Sequence, residues 1–217
     1  MNNQLIGYGE DSLTFWALKH QLSAILEKLH DKSEVDSCVV FYRPSFGRGK
    51  NIGEFDAIIA TPDCVYLIES KWDQSNEYHK STRLVVLREA QWKRHDTFMV
   101  YRQYWKCSDL GKWDEFAGRL GPIAEEKMPD HKIPDSSTQL AKSLEVVLSK
   151  CWQQDKEQTT KNVCLFFSES SSESVKNSER QVRLERSDGG QRNAPQFELI
   201  EIEYRSHEFG RQFVGLD

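Results

Sequence analysis

The sequence predicts an α/β protein: a mixed central β-sheet flanked by helices. Three observations lead there. Apolar residues recur at helical spacing near the N-terminus (Leu13, Trp16, Ala17, Leu22, Ile25, Leu26, Leu29) and again at Leu140, Ala141, Leu144, Val147 and Leu148. Short apolar runs of strand character stand between these stripes, at Val39–Phe41, Val65–Ile68 and Asn162–Phe167. The two kinds of segment alternate along the chain, as in a sheet covered by helices.

Taken in order, residues 9 to 30 read as one amphipathic helix and residues 36 to 42 as a strand. The Gly-containing polar stretch from Arg43 to Asn51 reads as a loop. Two strands joined by a tight turn follow across Gly53–Lys71, then a short strand at Arg83–Leu87 and an aromatic-rich helix from Glu89 to about Lys106. Gly111, Gly118, Gly121, Pro122, Pro129 and Pro134 break residues 107 to 135 into loops with one short helical turn. Ser136 or Ser137 is placed to cap a helix running to Trp152. The Ser-, Glu- and Arg-rich stretch 168 to 193 reads as a loop in which Val182 and Leu184 form an edge strand. Gln196–Tyr204 reads as the last strand.

At 217 residues, one domain with a full core is expected over 1–217, and 38% hydrophobic with 29% charged residues is ordinary for a globular chain. No apolar run approaches the roughly 18 residues of a membrane span. The first residues carry neither a basic segment nor an apolar core of a secretion signal, so the expected location is the cytoplasm, with no membrane partner. Five cysteines without a CxxC pair argue against a zinc ribbon or a disulfide framework. The net charge of −5 argues against a generally basic nucleic-acid coat but leaves room for a local basic groove.

The chemistry concentrates in Gly53–Lys71. On the first strand Glu54 and Asp56 stand two apart and so share a face; on the second, Glu69 and Lys71 do the same after the run Val65–Ile68. Carboxylates beside such a run are costly to bury without a compensating cation, and a hard divalent ion is the simplest one. Asp56 and Glu69 on neighbouring strands are the candidate carboxylate ligands of a magnesium ion, manganese being a substitute, with the Ser70 carbonyl as a further oxygen ligand. Lys71, a point charge, would orient the attacking water and offset phosphate charge. Arg43, Arg48 and Lys50 on the preceding loop, and Lys93 and Arg94 on the following helix, are candidate phosphate contacts. The aromatics of that helix read mainly as core, and His95 as an exposed helix residue.

Gly53-Glu54-Phe55-Asp56 followed by Ile68-Glu69-Ser70-Lys71 resembles the PD-(D/E)xK nuclease superfamily, and within it archaeal Holliday-junction resolvases, Mrr-like restriction enzymes and the nuclease-related domain. The resemblance covers residues 7 to about 105. It implies a restriction-endonuclease-like fold and magnesium-dependent hydrolysis of DNA. It adds Glu10, in Gly7-Tyr8-Gly9-Glu10, as the family's helical Glu and a further metal-site residue, and Gln91, in Glu89-Ala90-Gln91-Trp92, as the family's Gln on the following helix. No Pro precedes Asp56, and residues 106–217 match no accessory module, so they complete the fold or add substrate-specific elements. Cutting both DNA strands would call for a homodimer. The alternative is a catalytically inactive nuclease-fold protein that binds DNA or a protein partner.

Overall fold

The computed structural model describes residues 5–47, 52–152, 158–170, 180–185, 195–208, 210 and 212–216. In chain order it runs β1 (Ile6–Tyr8), α1 (Gly9–His20), α2 (Leu22–Lys28), β2 (Val39–Tyr42), β3 (Ser45–Phe46), β4 (Gly53–Glu54), β5 (Ala57–Ala60) and β6 (Cys64–Trp72). It continues with β7 (Tyr78–His79), β8 (Leu84–Leu87), α3 (Glu89–Tyr104), α4 (Trp113–Lys127) and α5 (Gln139–Lys150). The last elements are β9 (Thr159–Glu169), β10 (Gln181–Leu184), β11 (Phe197–Tyr204) and β12 (Phe213–Gly215).

The principal sheet has five strands in the order β11-β9-β6-β5-β2. It is mixed: β11 runs parallel to β9, and β2 antiparallel to β5. The protein is therefore a mixed α/β fold with five α-helices among the described residues, and β6 is the middle strand of its main sheet. None of these helices is long and apolar enough to cross a membrane.

The chain forms two compact units of interleaved segments. The first comprises Met1–Asp36, Ile68–Glu89 and Asn162–Asp217; the second comprises Ser37–Leu67 and Ala90–Lys161. The second unit holds the larger apolar core. Phe46, Phe55, Phe98, Tyr101, Trp105, Trp113 and Phe116 are buried there together with Leu144 and Leu148. Phe46 stacks on Phe98 and Tyr101 on Trp113, while other rings meet edge-on or tilted, as at Trp105 and Phe116, whose centroids lie 4.9 Å apart. Such geometry sets the positive edge of one ring against the negative face of the next. In the first unit a smaller cluster of Val85, Leu87, Cys164 and Phe166 lies beneath the three-stranded sheet β10-β8-β7.

Several local expectations are revised. The N-terminal helix is two helices, broken at Gln21, whose φ of −122° leaves the helical range. Residues 107 to 135 hold the 15-residue α4, with Pro122 inside it. Its buried stripe Trp113, Phe116, Leu120, Ala124 supplies enough apolar burial to override the Gly and Pro breakers. The cap of α5 is Thr138, whose hydroxyl accepts from the Ala141 N–H at 3.1 Å. Gln196–Tyr204 is not the last strand. Three residues, Phe213–Gly215, pair antiparallel with β1 at the other end of the chain.

Candidate active site

The tight turn that feeds β6 is held by one side chain. The Thr61 N–H donates to the Cys64 carbonyl at 2.8 Å, and the Thr61 hydroxyl accepts from the Cys64 N–H at 3.0 Å. Pro62 presets the bend with its fixed φ. From there Val65, Tyr66 and Ile68, β-branched or aromatic, carry the strand together with Leu67, all four buried. Burial does not stop where the chemistry changes: Glu69 is 2% exposed, Ser70 0% and Lys71 3%.

Glu69 and Lys71 share a face of β6, as the two-residue period requires. The Lys71 ammonium donates to Glu69 Oε1 at 3.1 Å and to the Ser70 carbonyl at 2.6 Å. It also reaches Glu10 Oε1 at 3.5 Å, where the carboxylate is a quarter exposed and opens the cluster toward solvent. The other oxygen of Glu69, Oε2, is buried and meets no hydrogen-bond partner among the described residues. An ionised carboxylate in that state carries a desolvation penalty that one ammonium offsets only in part.

Two glycines bring Glu10 there. A Cβ on Gly7 would lie 2.4 Å from Ser12 Cβ, so only glycine lets β1 run this close to α1. Gly9 has φ +74°, the left-handed turn that swings the chain from strand into helix, and the next residue is Glu10. The Ser12 hydroxyl donates to the Tyr8 carbonyl at 2.9 Å and secures the junction.

Glu10, Glu69, Ser70 and Lys71 thus converge within the first unit. Asp56 and Gln91 belong to the second. Glu54 and Asp56 do not share a strand face, because β4 ends at Glu54 and β5 begins at Ala57. Asp56 sits half-buried in the bend between them, its carbonyl accepting from the Arg43 N–H at 3.1 Å. Gln91 is half-buried in the first turn of α3.

The basic candidates have separate fates. Arg43 donates twice to Glu54 Oε1, at 3.0 and 2.5 Å, which makes Glu54 a rim charge in an ion pair. Arg94 donates to the Glu54 carbonyl, so its guanidinium ties α3 to β4. Lys93 is exposed on α3, while Arg48 and Lys50 lie outside the described residues. His95 is not an exposed helix residue: it is fully buried, its ring centroid 5.0 Å from that of Phe55.

Asp96, also on α3, is a titrating group that spacing alone did not single out. Burial pushes its carboxyl up to about 6. In the same unit burial pushes the Cys151 thiol up to about 12 and the Tyr101 hydroxyl well above its usual value. The Tyr101 hydroxyl pairs with His131 Nε2 at 2.7 Å.

Among the described residues no three His, Cys, Asp or Glu side chains gather as a complete metal cage. The hard oxygens that β6 offers are Glu69 Oε2 and the Ser70 carbonyl. No protein-family model, curated protein or solved structure matches the chain.

Proposed function

We propose that the protein is a magnesium-dependent nuclease of restriction-endonuclease-like fold that hydrolyses DNA phosphodiester bonds. The observation that carries this reading is the buried, half-satisfied carboxylate of Glu69, with one oxygen on Lys71 and the other without a protein partner. Its place on the middle strand of a five-stranded mixed sheet, followed by Ser70 and Lys71, supports the resemblance in fold. A buried ion pair is a weak source of stability, so its presence here calls for a role beyond folding.

The residues fit a hard divalent cation. Magnesium keeps several waters and takes one or two carboxylates plus substrate phosphates rather than an all-protein cage. Glu69 Oε2 and the Ser70 carbonyl would hold it, with Glu10 next to them; Asp56 and Gln91 are what the resemblance implies. When bound, the ion supplies charge neutralisation on the phosphate and a more acidic water.

Lys71 is fixed by its bonds to Glu69 and Ser70, so its ammonium meets the substrate already oriented. It aligns the attacking water and offsets the charge that builds on the phosphate oxygens. Glu10 anchors the same ammonium from α1 and leaves the cluster accessible from its solvent side. Lys93, exposed on α3, would contact a phosphate without reading sequence.

Cleavage of supercoiled plasmid and of single-stranded DNA, compared in magnesium, manganese and EDTA, tests this. Metal-dependent cutting by the wild type should fall at least a hundredfold in both Lys71→Ala and Glu69→Gln, the scale of losing one preorganised charge. Full activity in Lys71→Ala would sink the assignment. Absent cutting with retained DNA or protein binding would favour the non-catalytic alternative.

A further inference from the structure

We propose that Leu216 is a positioning residue for Glu10: it latches the segment Gln212–Leu216 onto β1 and α1, and that segment caps the helix start from which Glu10 reaches Lys71. The proposal rests on the nuclease reading of the Glu10–Glu69–Lys71 cluster and adds the part of the chain that holds its most exposed carboxylate in place.

Glu10 stands in the first turn of α1, where backbone N–H groups have no partner within the helix. Tyr8, at the N-cap, supplies no side-chain hydrogen bond. The cap comes instead from the other end of the sequence: the Gly9 N–H donates to the Gln212 carbonyl at 2.9 Å. Gly9 has φ +74° and no side chain to pin it, so this bond steadies the turn that aims the next residue, Glu10. The Glu10 carboxylate then lies 3.5 Å from the Lys71 ammonium.

The capping segment is itself held at Leu216. The Leu216 N–H donates to the Leu5 carbonyl at 2.8 Å. Its carbonyl accepts from Lys19 Nζ and from His20 Nε2, at 3.2 Å each, so two neighbouring residues in the last turn of α1 converge on one oxygen. Its side chain, 8% exposed, lies over Gly7, where a Cβ would come within 2.9 Å of Leu216 Cδ1. Between Gln212 and Leu216, buried Val214 pairs with Gly7 in a two-stranded sheet separate from the main one. Two strands of three residues are marginal on their own, so the ladder depends on its anchors and can open without unfolding the main sheet. All of these residues lie in the first unit, with Glu10 and Lys71.

The test is a double-variant cycle between Leu216→Ala and Glu10→Ala in the full-length protein, read by urea midpoints in EDTA and by plasmid cutting in magnesium. Leu216→Ala should speed hydrogen exchange of the Gly9 amide about tenfold while the amides of β6 keep their protection. It should lower cutting about tenfold, and Leu216→Met should restore it. In the Glu10→Ala background, Leu216→Ala should cost less stability than in the wild type and lower cutting no further, because the contact it secures is already gone. Equal losses in both backgrounds would overturn the proposal, since Leu216 would then serve the fold alone. So would an unchanged rate of Gly9 exchange. Should Leu216→Ala fail to fold, Lys19→Met with His20→Leu strips the Leu216 carbonyl of both donors and enters the same cycle with the same expected directions. If the wild type cuts with no metal yet the urea cycle couples Leu216 to Glu10, the nuclease reading falls and the positioning role stands.

Discussion

From Val65 to Ile68, β6 buries four apolar side chains; from Glu69 to Lys71 it buries a carboxylate, a hydroxyl and an ammonium to the same depth. Val65 and Leu67 pack into the second unit's large aromatic core, whereas Ile68 to Lys71 belong to the first unit. Apolar burial stabilises in proportion to the area removed from water. A buried ion pair gives little net stability, yet losing one partner leaves a charge stranded. One strand therefore carries an apolar stretch that stabilises and a polar stretch whose burial stability alone does not account for.

The largest effects should fall on the apolar side. Phe116 is fully buried against Tyr101, Trp105 and Trp113. Phe116→Ala should cost about 3–5 kcal/mol in urea denaturation, with the lost ring leaving a cavity among rigid neighbours. On the polar side Lys71→Met should cost nearly as much, about 3 kcal/mol, because Glu69 is left uncompensated. Removing both charges reverses the sign. The double variant Glu69→Leu with Lys71→Met should be neutral or up to about 3 kcal/mol more stable than wild type, and inactive. A double variant as unstable as the single one would show that the pair is structural after all, and the contrast between the halves of β6 would collapse.

How far the sequence revealed this depends on the range of the signal. The Glu69–Lys71 pair is legible, because a period of two is a local rule that the structure obeys, whereas the approach of Glu10 to Lys71 follows from no local rule and entered only through the resemblance. The elements of the main sheet were legible for the same reason, as short apolar runs between turn residues. The α4 helix was not, because Gly118, Gly121 and Pro122 mask a stripe at Trp113, Phe116 and Leu120 whose worth depends on a distant core. β12 was invisible, since three residues signal a strand only through a partner some two hundred positions away. His95 was misjudged as solvent-facing, because helical spacing does not reveal that Phe55 covers it. The basic candidates are the clearest lesson: composition shows positive charge near the motif, but only the fold shows that Arg43 and Arg94 are already engaged with Glu54.

A smaller effect tests the same contrast inside the second unit, where Asp96 is a half-buried acid on the helix that supplies Phe98 and Tyr101 to the core. Its carboxyl ionises near 6 in the folded protein and near 3.8 in the unfolded chain. Between those values the folded state binds more protons than the unfolded one, so stability falls as pH rises from about 4 to 6 and the loss is complete above 6. Asp96→Asn removes the titration. Its stability, followed by urea midpoints from pH 4 to 7, should stay flatter than wild type and exceed it at pH 7, with the two curves converging toward pH 4. Parallel curves would mean that Asp96 ionises alike in both states. An Asp96→Asn protein that is more stable at pH 7 but cuts DNA less well would instead give the acid a working role like that of Glu69, and the divide between a stabilising and a working region would have to be redrawn through α3.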